Sequence, residues 1–244
     1  MLILILSENS NMKKIVIGIS EGSGYFNYEN WIKDEPAVQI IKLSHQLDNL
    51  KDIERCDGII LTGGADINPI LYHQPGFMPF TDPKAIDEKR DEFEWKIIQH
   101  TEENQTPLLG ICRGLQLVNV YFGGILMPDL PAFGKFNHAK FNSGIDREHM
   151  VDVDANSMLY KITGEEKGRI NSAHHQSADI LGDGLVANAL SPDGVIEGME
   201  RKDPEGKSFL LLVQWHPERM ANQQSNFVKK IKEAFLNAVR ENGS

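Results

Sequence analysis

Positive charge, cysteine and long apolar runs are all scarce in this chain, and each shortage removes a class of protein. The 244 residues carry 25 Lys and Arg against 35 Asp and Glu, a formal net charge of −10, and no local basic cluster reverses that balance. Nucleic acid and anionic membrane surfaces are therefore not expected partners, and small polar substrates fit better. Two cysteines, Cys56 and Cys112, are too few for a disulfide framework and suit a reducing compartment, so the expected location is the cytoplasm. The opening apolar run ends at Leu6, lacks a basic leader, and is too short to span a bilayer. Repeats, low-complexity tracts and linker-like stretches are missing as well. One domain is expected over 12–244, with residues 1–11 read as an upstream extension because Met12 opens a natural first strand.

What is present is an alternation of β-branched runs and helical spacing. Candidate strands at 15–20, 37–43, 57–62 and 106–111 are separated by longer segments, among them a surface helix over 87–103 whose charged residues surround Phe93, Trp95, Ile97 and Ile98 and which packs on one face. A helix over 113–122 follows directly. Shorter strands near 149–154, 185–190, 194–200 and 208–214 read as antiparallel additions, and an amphipathic helix over 221–241 closes the chain. The pattern predicts an α/β protein, built as a three-layer sandwich around a central, mostly parallel sheet.

The chemistry concentrates at Gly110-Ile111-Cys112-Arg113-Gly114, where a strand meets a helix through a glycine-flanked turn. This is a nucleophile elbow carrying a thiol. A free thiol is only about 3% ionised at pH 7, and lowering its pKa by roughly two units raises the thiolate about 25-fold. Two devices are at hand: the positive end of the helix starting at Arg113, and an imidazole. His216 is the candidate imidazole, set just after the apolar run 209–213, with Glu218 placed to orient the ring as the third member of a triad. Attack on an amide needs donors for an oxyanion. The backbone N–H of Arg113 and those of the turn Gly63-Gly64 are available. Cys56 has no such setting and reads as a packed core residue. The adjacent His174 and His175 invite a metal, but neighbours along an extended chain point to opposite faces, so no metal and no cofactor are expected. The segment Asn171–Ser177 reads instead as a loop that uses a polar side chain to hold substrate.

With these residues in view the chain resembles the class I glutamine amidotransferase-like superfamily and, within it, the gamma-glutamyl hydrolases, nearest the gamma-glutamyl-gamma-aminobutyrate hydrolases. The resemblance runs from about Met12 to Glu218 through blocks in one order: Leu61–Pro69, Arg90–Glu94, the elbow continuing to Gly124, Asn171–Gln176, Asp193–Glu197 and Val213–Glu218. It implies Cys112, His216 and Glu218 as catalytic triad and the Gly64 and Arg113 amides as oxyanion hole. It further implies Gln116, His175 and Gln176 as substrate contacts. The chain departs from the family in its short stretch between the first strand and Asp57. The expected reaction is hydrolysis of a gamma-glutamyl amide through a glutamyl thioester. A glutaminase subunit feeding ammonia to a separate synthetase and a non-catalytic gamma-glutamyl-binding module are the rival readings. The only partner expected is the small gamma-glutamyl substrate, with homo-oligomerisation left open.

Overall fold

The computed structural model describes residues 13–242. The expected extension over 1–11 lies outside them. In chain order the elements are β1 (Ile15–Ser20), α1 (Tyr25–Ile32), β2 (Val38–Leu43), β3 (Gly58–Leu61), α2 (Glu88–Glu103), β4 (Leu108–Ile111), α3 (Arg113–Tyr121) and β5 (Ile125–Met127). They continue with β6 (Arg147–Val153), α4 (Met158–Thr163), β7 (Lys167–Ser172), β8 (Ser177–Ile180), β9 (Leu185–Leu190), β10 (Ile196–Arg201), β11 (Leu210–Val213) and α5 (Asn226–Asn242). Nine strands form the main sheet in the order β2-β1-β3-β4-β11-β10-β9-β6-β7, and β5 pairs with β8 beside it. The pairings from β2 through β11 are parallel. Those from β11 onward to β7 are antiparallel.

The antiparallel wing matches the sequence expectation except at β11. That strand lies parallel beside β4, with Val213 opposite Ile111. Its four residues, Leu-Leu-Leu-Val, are buried on both faces, and such an uninterrupted apolar run belongs inside a parallel sheet rather than at a half-solvated one.

Alternation along the strands divides the core in two. Ile17, Ile60, Leu109, Leu211 and Val213 face one side with α1, α4 and α5, whereas Ile59, Leu61, Leu108, Leu210 and Leu212 face the other with α2 and α3. These are the three layers of the expected sandwich. Although the stretch before Asp57 is short, it accommodates both α1 and β2. No helix among the described residues is long and apolar enough to cross a membrane.

Helix α2 differs from the expected surface helix. Besides Phe93, Ile97 and Ile98 it buries Arg90, Asp91 and Glu94. Three buried charges on one helix need partners, and these lie beneath the sheet edge where β3, β4 and β11 all end.

Candidate active site

β4 and β11 run in register to that edge, so the chain leaves them side by side at Cys112 and Gln214. The Cys112 N–H donates to the Val213 carbonyl at 2.8 Å. Cys112 itself takes φ 55°, ψ −105°, a positive-φ conformation outside the left-handed helical well that is costly for a side-chain-bearing residue. The flanking glycines serve packing rather than that dihedral. A Cβ on Gly110 would stand 2.6 Å from Leu212, and one on Gly114 would stand 2.6 Å from the Leu61 carbonyl oxygen. Strand and helix therefore close on the elbow from both sides, and the strain is carried by the residue that bears the thiol.

His216 arrives two residues beyond Gln214. Its backbone N–H donates to Asn171 Oδ1 at 2.9 Å, which ties it to the end of β7. Its Nδ1 lies 2.9 Å from Glu218 Oε1 and 3.3 Å from the Tyr28 hydroxyl, and the ring shares the space over Gly63 with Cys112, since a Cβ there would stand 2.8 Å from His216 Cε1 and 3.5 Å from Cys112 Cβ. Burial disfavours the charged imidazole, but the negative charges of Glu218 and Cys112 outweigh it and push the His216 pKa up to about 9. Cys112, His216 and Glu218 thus stand together at one sheet edge, with His216 between the other two. Tyr28 was not foreseen. Burial, and then the charges of Glu218 and Cys112, hold its hydroxyl well above the usual phenol range. It stays protonated and bridges His216 to the β3 loop, where its oxygen accepts from the Gly63 N–H at 2.9 Å.

The turn after β3 is clamped by charge. Arg90 donates to the Thr62 carbonyl at 3.2 Å and the Gly63 carbonyl at 3.1 Å, and its Nε donates to Glu94 at 3.0 Å. Glu94 also pairs with Arg113, and Arg113 with Asp91. Burial opposes ionisation of Glu94, yet its two arginines hold the carboxyl below its ordinary value; at Asp91, facing one arginine, burial wins and the pKa rises. The side chain of Arg113 is therefore an anchor, leaving its backbone to face the elbow. A Cβ on Gly64 would lie 2.0 Å from Arg90, and one on Gly63 would lie 2.8 Å from His216. Only glycines fit there. With the Gly63 N–H already given to Tyr28, Gly64 carries the next amide of the turn. A cavity of about 520 Å³ opens against Gly64, Ala65 and Arg113, rimmed by Glu21, His45 and Asp87.

The segment after β7 splits its histidines. His175 turns toward Asp66 (2.8 Å) and Asp129 (3.4 Å), and these carboxylates raise its pKa. His174 turns the other way, into the protein. Gln116, on α3 one turn beyond the elbow, donates to the Gln176 carbonyl at 2.9 Å and to Gln214 at 3.2 Å. The side-chain amide of Gln176 is buried with neither its nitrogen nor its oxygen hydrogen-bonded.

A parallel sheet with a strained cysteine at its carboxyl edge, and a histidine and glutamate delivered by the adjacent strand, defines the class I glutamine amidotransferase-like fold. The glutaminase domain of CTPS from Trypanosoma brucei, solved with acivicin bound, superposes with a TM-score of 0.61 at 15% identity over 93% of this chain and 94% of its own. The chain belongs to the Peptidase C26 family, which matches residues 8–218, and is a hydrolase of amide bonds. A glutamine amidotransferase-like protein, YvdE, of Lactococcus lactis is 40% identical over 197 residues, 79% of this chain and 78% of that protein. The gamma-glutamyl-gamma-aminobutyrate hydrolase PuuD of Escherichia coli is 30% identical over 196 residues, 77% and 74% respectively.

Proposed function

We propose that the protein hydrolyses gamma-glutamyl amides, with Cys112 as nucleophile, His216 as acid and base, and Glu218 as the group that orients it. The observation that carries this reading is the position of the His216 ring, held at 2.9 Å by the Glu218 carboxylate beside the Cys112 side chain, where both groups raise its pKa. The Cys112 thiolate attacks the amide carbonyl carbon, and the Gly64 and Arg113 amides receive the oxyanion. The C–N bond breaks as His216 gives its proton to the leaving amine. His216 then takes a proton from water, the hydroxide attacks the glutamyl thioester, and the C–S bond breaks to release glutamate and the thiolate. Gln116, His175 and Gln176 contact the glutamyl group; an unsatisfied buried amide such as that of Gln176 costs about 1–3 kcal/mol, which a polar ligand would relieve. Similarity to PuuD makes gamma-glutamyl-gamma-aminobutyrate the first substrate to try.

The test is glutamate release from a panel of gamma-glutamyl derivatives of aminobutyrate, polyamines, amino acids and polyglutamylated folate. Release from at least one, well above release from glutamine, is expected. Failure across the panel overturns the reading; glutamine-dependent ammonia transfer to a copurifying synthetase would establish a glutaminase subunit instead. Tight binding without a covalent adduct would mark a non-catalytic module.

The proton balance of His216 sets a pH dependence. Its pKa is raised from the ordinary 6.5 to about 9, so the ring is charged at neutrality and ready to protonate the amine. The kcat/KM profile is expected to fall on the basic side near pH 9, and Glu218→Gln, which removes the larger raising charge, moves that limb toward neutral pH. The linked stabilisation is complete below about pH 6.5 and lost as pH rises through about 9. A rate profile flat to about pH 11 would deny His216 the proton-donor role.

A further inference from the structure

On the antiparallel side of the sheet, four side chains from four separate segments converge. His149 projects from β6, Glu197 from β10, His174 from the turn after β7, and His138 from the loop before β6. Their facing atoms all lie within 4.8 Å of one another. Glu197 Oε1 stands 3.2 Å from His138 Nδ1, 3.4 Å from His149 Nε2 and 3.5 Å from His174 Nε2. Glu197, His138 and His174 are each more than nine-tenths buried. Despite these separations, none of the three nitrogens and neither Glu197 oxygen has a hydrogen bond.

The outer edges of the rings explain why. His138 Nε2 faces Asp193 at 3.2 and 3.3 Å, His149 Nδ1 faces the Met150 carbonyl at 3.0 Å, and His174 Nδ1 faces the Gln176 carbonyl at 3.0 Å. A carboxylate and two carbonyls only accept, so each outer nitrogen carries the N–H. In the neutral rings the inner nitrogens are then bare lone pairs, aimed with a carboxylate at one point. Four acceptors without a donor repel one another, and a cation at their centre removes the conflict. Metal-bound histidines show this same arrangement, the far N–H held by a carboxylate or carbonyl.

We propose that His138, His149, His174 and Glu197 form a structural binding site for a divalent metal ion, zinc by its ligand set and spacing. A tetrahedron with bonds of about 2.0–2.1 Å has edges of about 3.3–3.4 Å, close to the three Glu197 distances, and three imidazoles with one carboxylate suit zinc. The adjacent pair His174 and His175 does point apart, as the sequence reading argues, but the site uses only His174. Expecting no metal from that pair leaves out His138 and His149, which no spacing motif links to it. The site acts as a clasp. It fixes β6, β10 and the His174-His175-Gln176 segment together, while the Gln176 carbonyl meets Gln116 beside the elbow and the Glu197 carbonyl accepts from the Gln214 N–H, two residues before His216.

The experiment is zinc titration of the chelator-stripped full chain in a Cys112→Ala background, so that the thiol contributes nothing, with cobalt(II) as a spectroscopic probe. One zinc per chain with Kd below about 1 µM is expected, with tetrahedral cobalt d–d bands and a Tm rise of about 5–10 °C at a hundredfold excess over Kd. His149→Ala, at the least buried ligand, weakens uptake by at least about 100-fold, and Asp193→Asn, which leaves all four ligands in place, by about 10–100-fold. Should His149→Ala fail to fold by circular dichroism, Asp193→Asn decides. A stripped chain that takes up no zinc, or folded variants that bind it as tightly as the parent, would overturn the proposal.

Discussion

Replacement of Cys112 by alanine is expected to lower amide turnover by about 10⁴-fold or more while the chain still folds. The thiol is small and buried, and its removal leaves a cavity of only one atom, so the stability cost is modest beside the catalytic one. Alanine at φ 55° also retains the same strained backbone, so the loss is not a change of elbow geometry. The corresponding measurement is steady-state release of glutamate, paired with mass spectrometry after exposure to acivicin or another glutamine-like electrophile. One adduct, on Cys112 and absent in the variant, is the expected pattern. Retention of full activity by Cys112→Ala would remove the nucleophile from the mechanism, and an adduct on Cys56 would be a surprise of the same order, because burial pushes that thiol up to about 12.

How far this site could be read from the sequence depends on how local its signals are. The elbow is five consecutive residues whose glycines are demanded by contact with Leu212 and Leu61, and that demand leaves a mark in the sequence. His216 and Glu218 follow an uninterrupted apolar run, so their delivery to the sheet edge was legible too. Tyr28 was not, because α1 starts from Gly24 at φ 78° and carries two asparagines in eight residues, a weak helical signal. The strands β7 and β8 escaped for a similar reason: Lys-Gly-Arg-Ile-Asn-Ser and Ser-Ala-Asp-Ile have too few β-branched residues to stand out from loop. The orientation of β11 is carried by its uninterrupted apolar run alone, while the short strands and Gly, Asp and Pro turns before it point to an antiparallel neighbour. Least legible of all is the His138, His149, His174 and Glu197 cluster, whose members span about sixty positions and meet only after the sheet has formed.

The largest expected effect on stability lies in the buried charges behind the Gly63-Gly64 turn. Glu94→Gln removes the carboxylate shared by Arg90 and Arg113 and leaves Asp91 as the only anion in the network, so one positive charge is uncompensated in the interior. Removing one partner of such a buried pair costs about 3–5 kcal/mol. At about 2–4 °C per kcal/mol for a chain of this size, Tm should fall by roughly 6–20 °C. Turnover should fall as well, through position rather than chemistry. Arg90 is the donor that fixes the Thr62 and Gly63 carbonyls, and the Gly64 and Arg113 amides are the proposed oxyanion donors, so a loosened network misplaces both by fractions of an ångström. That effect is in kcat, with little change in KM, and it is separable from simple unfolding by working well below the new Tm. Glu94→Asp keeps the charge but shortens the reach to Arg113, and it should recover part of the stability and less of the rate. A drop below about 1 kcal/mol in Glu94→Gln would mean that the arginines find other partners, and the turn would then owe its position to Tyr28 and the sheet alone.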